Sequence, residues 1–100
     1  MQAKIIIKRK FVAGKRKEII ALLRELRSGA LNRPGYVSGE TLTSAADPHT
    51  MVVISTWQDM ESWYKWKENS TRETLEKMLE TYQKESTSYE EFTLGAFIPD

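Results

Sequence analysis

Between Met51 and Trp66 the spacing of apolar positions changes from a period of two to a helical one. In a strand, successive side chains point to opposite sides, so Met51, Val53, Ser55 and Trp57 share one face and Val52, Ile54 and Thr56 the other. Both faces are largely apolar, which predicts an internal strand covered on both sides. After Trp57, Met60, Trp63 and Trp66 or Lys67 recur at helical spacing, and Asp59 is placed to cap that helix. All three tryptophans fall in this stretch, so a pocket between the helix and the sheet would have aromatic walls.

The same patterning divides the rest of the chain. Ala3 to Val12 predicts a first strand, with Ile5, Ile7 and Phe11 on one face, Ile6 and Val12 on the other, and Lys8, Arg9 and Lys10 interrupting it. A first helix follows Ala13-Gly14 from Lys15 to about Asn32, its stripe being Ile19, Leu22, Leu23 and Leu26. Lys15, Arg16 and Lys17 stand where the helix dipole prefers anions, which makes Glu90 and Glu91 candidates to offset them. Gly29 weakens the end of this helix, and Pro34-Gly35 turns the chain.

A second strand spans Tyr36 to Ser44, where Gly39 suggests a bulge or the close approach of another backbone. Asp47-Pro48 makes the next turn. Ser70-Thr71-Arg72-Glu73 has the form of a capping box, and Leu75, Met78, Leu79 and Tyr82 are the stripe of a further helix. The last strand is expected from Ser88 to Ile98, with Phe92, Leu94, Ala96 and Ile98 on one face. The order β, α, β, β, α, β, with its second helical region in two pieces, predicts an α+β fold: one antiparallel sheet of four strands with the helices on one face. The bare face, with Val52 and Ile54, calls for a second copy, so a homodimer is expected.

Composition narrows the chemistry. One hundred residues, 40% hydrophobic and 29% charged, suit one globular domain spanning residues 1–100. No apolar run reaches the roughly 20 residues of a membrane span, and no signal peptide is visible, so no membrane association and a cytoplasmic location are expected. Net charge is +1, and no aromatic residues interleave with the basic ones, so nucleic acid is not an expected partner. With no cysteine and one histidine, no metal site or cofactor is expected. His49, two residues from Asp47, suits a turn better than a catalytic pair.

The run Pro34-Gly35-Tyr36-Val37-Ser38-Gly39-Glu40-Thr41-Leu42, then Asp47-Pro48, then Val53-Ile54-Ser55-Thr56-Trp57 with Trp66 beyond it, resembles the antibiotic biosynthesis monooxygenase domain of the dimeric α/β-barrel superfamily. The resemblance implies a ferredoxin-like monomer whose sheet joins its partner's in a barrel. It also implies a pocket between sheet and helices, lined by Trp57. Members of the family include metal- and flavin-free oxygenases of phenolic substrates and haem-degrading enzymes. Where the first branch has an asparagine this chain has Val53, and where it has a tyrosine this chain has Trp63. The arginine of its later helix falls near Arg72 or Lys77. The haem-degrading branch needs an asparagine on the first strand and a histidine on the later helix, and neither is present.

Two functions follow. One is cofactor-independent monooxygenation of a small phenolic or quinol-like molecule, in which an apolar pocket shields a substrate anion while it reduces O₂. The other is a non-catalytic homodimer that binds or senses a small apolar or aromatic molecule in the same pocket. Trp57, Trp63, Trp66, Met78 and Tyr82 are candidate walls, and Tyr36, Ser55, Tyr64, Arg72 and Lys77 candidate polar members.

Overall fold

The computed structural model describes residues 1–100. Its elements run β1 (Ala3–Lys10), α1 (Arg16–Leu31), β2 (Tyr36–Thr43), β3 (Thr50–Trp57), α2 (Met60–Lys67), α3 (Ser70–Glu80) and β4 (Ser88–Thr93). The strands form one antiparallel sheet in the order β2-β3-β1-β4. This is the split arrangement expected from the order of elements.

Register decides the faces. Ile5 lies opposite Ser55 and Glu91, and Ile7 opposite Val53 and Tyr89, so these side chains share the face that the helices cover. Lys4, Ile6, Lys8, Val52 and Ile54 occupy the outer face, where Val52 and Ile54 are only half-buried. Against the inner face α1 buries Ile19, Leu22, Leu26 and Ala30, while α2 buries Trp63 and Trp66. The largest fully buried side chains are Trp57, Trp63, Ile5 and Leu79, each contributing roughly 1.5–3 kcal/mol of hydrophobic stabilisation or more.

Several local expectations change. β1 ends at Lys10, with Phe11 continuing only as a single bridge to Gln83. Arg9 does not interrupt the strand toward solvent; it sits on the inner face with Ile5, Ile7 and Phe11 and is 4% exposed. β4 ends at Thr93, because Thr93 pairs with Ala3, the first residue of β1, and later residues outrun their partner strand. Leu94 still donates its N–H to the Gln2 carbonyl, but Phe97 and Ile98 are exposed. Glu91 does not offset the basic first turn of α1: it accepts hydrogen bonds from Trp63 and Lys67, and the acidic residue in that first turn is Glu18.

The cap of α3 is Asn69, whose side chain accepts the Arg72 N–H at 3.0 Å. Ser70 is already helical, so the expected capping box does not form. The buried side of α3 runs Arg72, Glu76 and Leu79, which turns Met78 out to water; Leu75 and Tyr82 pack partly against the core. Asp59 caps α2 by accepting the Ser62 N–H at 2.8 Å, and Gly35 takes φ +85° in the Pro34-Gly35 turn, both as expected. The bulge in β2 falls between Tyr36 and Ser38. What approaches Gly39 is a side chain, since a Cβ there would lie 2.7 Å from the Tyr36 hydroxyl.

Candidate functional site

A cavity of about 310 Å³ lies between the inner face of the sheet, α1, and the buried sides of α2 and α3. Its volume is at the small end of the range for ligand pockets, enough for a molecule of one or two rings. Alternation along β3 supplies Met51, Val53, Ser55 and Trp57 to one wall. α1 supplies Ile20, Leu23, Leu26 and Ala30, α2 supplies Trp63 and Trp66, and Tyr36 closes the β2 side.

The aromatic residues form a chain of ring contacts running from β2 through β3 and α2 to β4. The Tyr36 ring meets Trp57 edge-on at 5.2 Å between centroids, Trp57 meets Trp63 at 6.0 Å, and Trp63 meets Tyr89 at 6.1 Å. Two of the indole N–H groups are engaged within the protein. Trp57 Nε1 donates to Ser55 Oγ at 3.2 Å, and Trp63 Nε1 to Glu91 Oε2 at 2.6 Å. These walls therefore offer apolar ring surface rather than donors.

Polar character gathers where β1 meets α3. The Arg9 guanidinium forms a buried ion pair with Glu76, and Arg72 stands 3.7 Å from the same carboxylate. Arg72 also donates to the Tyr89 hydroxyl at 2.6 Å and to the Lys67 carbonyl at 3.2 Å, and its guanidinium lies over the Trp63 and Tyr89 rings. Burial pushes the Tyr89 phenol up from its ordinary value; the Glu76 charge adds to this and Arg72 opposes it. The Trp63 hydrogen bond, with Lys67 behind it, holds the Glu91 carboxyl below the usual range. One buried side-chain donor has no partner, Arg9 Nε.

Six residues singled out from the sequence, Tyr36, Ser55, Trp57, Trp63, Trp66 and Arg72, line this cavity together. Lys77 does not: it is exposed, one position past Glu76 and turned from the buried side of α3. Tyr64, Met78 and Tyr82 are also outside the lining, and His49 serves the turn, its N–H donating to Asp47 Oδ1 at 3.0 Å. Arg9, Arg24, Arg27 and Glu76 were not anticipated, yet all four line the cavity. Two signals could have found the buried pair. Arg9 continues the inward alternation Ile5, Ile7, and Glu76 lies four residues after Arg72 on one helix face. No group of three or more His, Cys, Asp or Glu side chains stands together in a metal-holding arrangement.

Residues 3–84 match the family described as antibiotic biosynthesis monooxygenase, and the chain belongs to that family. No curated protein matches the sequence significantly. Solved structures share the fold. A conserved protein from Methanosarcina mazei superposes with a TM-score of 0.85 at 14% identity, covering 92% of this chain and 91% of its own. SnoaB from Streptomyces nogalater, described as a cofactor-independent oxygenase, gives 0.79 at 16% identity with 100% of both chains covered. Rv0793 from Mycobacterium tuberculosis gives 0.84 at 10% identity, covering 99% of this chain and all of that one. At such identities the likeness carries the fold alone.

Proposed function

We propose that this member of the antibiotic biosynthesis monooxygenase family is a cofactor-independent monooxygenase that takes a small phenolic or quinol-like molecule into the cavity. The observation that carries this reading is the union, in one small cavity, of aromatic walls with two buried guanidinium groups at one end. SnoaB, whose fold this chain shares, is described as a cofactor-independent oxygenase.

In such a reaction the substrate supplies the electrons. Ionisation of a phenol, or of a methylene conjugated with it, yields a delocalised anion, and cations beside it favour that ionised form. The anion passes an electron to O₂, the two radicals combine as a hydroperoxide, and loss of water leaves a carbonyl. One oxygen atom stays in the product, and the other leaves in water with both methylene hydrogens. Arg9 and Arg72 are the residues placed to stabilise the anion, with Glu76 holding both guanidinium groups in position. Trp57, Trp63, Trp66 and Tyr36 keep the ring in an apolar setting and water away from the reactive intermediate.

A second reading, a non-catalytic ligand-binding protein, is favoured by Val53. This apolar side chain stands on the cavity wall where the resemblance places an asparagine. Oxygen uptake with a panel of one- and two-ring phenols and quinols, with ¹⁸O₂ traced into the product, separates the two. Protein-dependent uptake that leaves one labelled oxygen atom in a quinone product and falls with Arg72→Gln is the result expected. Saturable binding without any uptake transfers the cavity to the second reading. Either way, the working unit in this proposal is a homodimer joined through the outer faces of the two sheets, where Ile6, Leu42, Val52, Ile54 and Phe92 are incompletely covered.

A further inference from the structure

Four arginines line the cavity, Arg9, Arg24, Arg27 and Arg72, against one carboxylate, Glu76. Glu76 is already shared between Arg9 and Arg72. Arg9 is 4% exposed and its Nε–H has no acceptor, an arrangement that a buried guanidinium tolerates poorly unless something else accepts that bond. Arg24 and Arg27, three residues apart on one side of α1, are exposed, so they stand where the cavity opens to solvent. Neither is in an ion pair with any carboxylate of the chain.

We propose that the occupant carries a permanent negative charge: it is a hydroxyaryl carboxylate, its acid group held at the Arg9–Arg72 end of the cavity and its entry guided by Arg24 and Arg27. This rests on reading the cavity as the ligand site and adds the chemical class of the ligand. The positions of the arginines separate it from a neutral phenol that ionises only once bound. Buried guanidinium groups serve either ligand, but exposed ones at the mouth act on charge that the molecule already has in solution. A low-dielectric cavity with three excess cations also favours an anion over its neutral isostere at every depth. The apolar walls then require the remainder of the molecule to be aromatic.

Two probes of nearly equal shape test this, 1-hydroxy-2-naphthoate and its uncharged carboxamide, with binding followed by quenching of the tryptophans in the cavity wall. The naphthoate is expected to bind at least roughly ten-fold tighter at low salt, and the gap to narrow as salt rises. In Arg24→Gln/Arg27→Gln the association rate of the naphthoate falls and loses its salt dependence, while the amide is unaffected. Arg9→Lys, which keeps the charge beside Glu76 but removes the planar guanidinium fork, weakens the naphthoate alone. If Arg9→Lys does not fold, the surface double variant decides. Equal affinity for acid and amide overturns the charge assignment while leaving the cavity a ligand site. Binding of neither probe overturns both.

Discussion

Gly29 on α1 and Trp66 on α2 compete for one space: a Cβ added to Gly29 would lie 2.6 Å from Trp66 Cη2. Gly29 lies inside the helix, which runs on to Leu31, and its missing side chain leaves room for the tip of the indole against α1. The Arg33 guanidinium covers the ring at 5.3 Å. Gly29→Ala gains about 1 kcal/mol of helix propensity but overpacks a rigid ring, which costs about 1–3 kcal/mol. The melting temperature is expected to fall by about 4–8 °C, the effect of roughly 1 kcal/mol in a domain of this size. Adding Trp66→Phe should recover much of it. A rise in the melting temperature of Gly29→Ala would show that the ring moves freely.

The Arg9–Glu76 pair has an asymmetric dependence on its members. Removing only the carboxylate leaves Arg9 and Arg72 buried without their shared anion, and such truncations cost about 3–5 kcal/mol. Glu76→Ala should therefore be much less stable to urea than Arg9→Met/Glu76→Leu, which withdraws the Arg9 charge as well. If the double variant is the weaker of the two, the pair is a net source of stability.

The Trp57 indole donor is taken by Ser55, and the residue is 1% exposed. Trp57→Phe is expected to lose about 1 kcal/mol, the worth of a typical hydrogen bond, together with weaker binding of aromatic ligands. Ser55→Ala should lose a similar amount by leaving the indole donor unpaired. The two losses should be clearly less than additive in a double-mutant cycle, because they remove the same bond. Full additivity in thermal melts would mean that the bond contributes nothing.

Acid should weaken the protein through Glu91. Its carboxyl is depressed chiefly by the Trp63 hydrogen bond, so the folded state binds this proton less readily than the unfolded chain. The corresponding stability is present above about pH 4.5, the ordinary value for a glutamate, and is lost as pH falls through the lower folded value. Asp47 and Asp59, each lowered by local hydrogen bonds to Thr50 and Ser62 respectively, act in the same direction. Glu91→Gln should flatten part of the fall in stability between about pH 5 and pH 3, read by urea midpoints. An unchanged slope would remove Glu91 from the account. At the alkaline end the raised Tyr89 has the opposite sense: its contribution is present below about pH 10 and is lost as pH rises through the folded value.

The outer sheet face gives the remaining prediction. The 11.6 kDa chain should sediment at about twice that mass at micromolar concentration. Ile54→Lys, at the middle of that face, should yield aggregated or unfolded material rather than a stable monomer. A well-folded monomer of the parent protein would overturn the sheet-to-sheet arrangement.

Periodicity along the chain was enough to determine the elements, their order and the split topology, because each depends on which local face is apolar and on turn residues such as Pro34-Gly35 and Asp59. It also assembled most of the aromatic wall, since Tyr36, Trp57, Trp63 and Trp66 follow from strand and helix phase. The charged end of the cavity was another matter. Arg9 belongs to a basic run that looks solvent-facing, and Glu76 looks like one more surface glutamate on an acidic helix. Each is buried only because the other, from a segment remote in the chain, neutralises it, and no local pattern reports a partner supplied by tertiary packing. The same holds for Gly29 and Trp66, and for Ser55 under Trp57: the sequence by itself determined the faces, and only the folded chain decided which side chains meet across them.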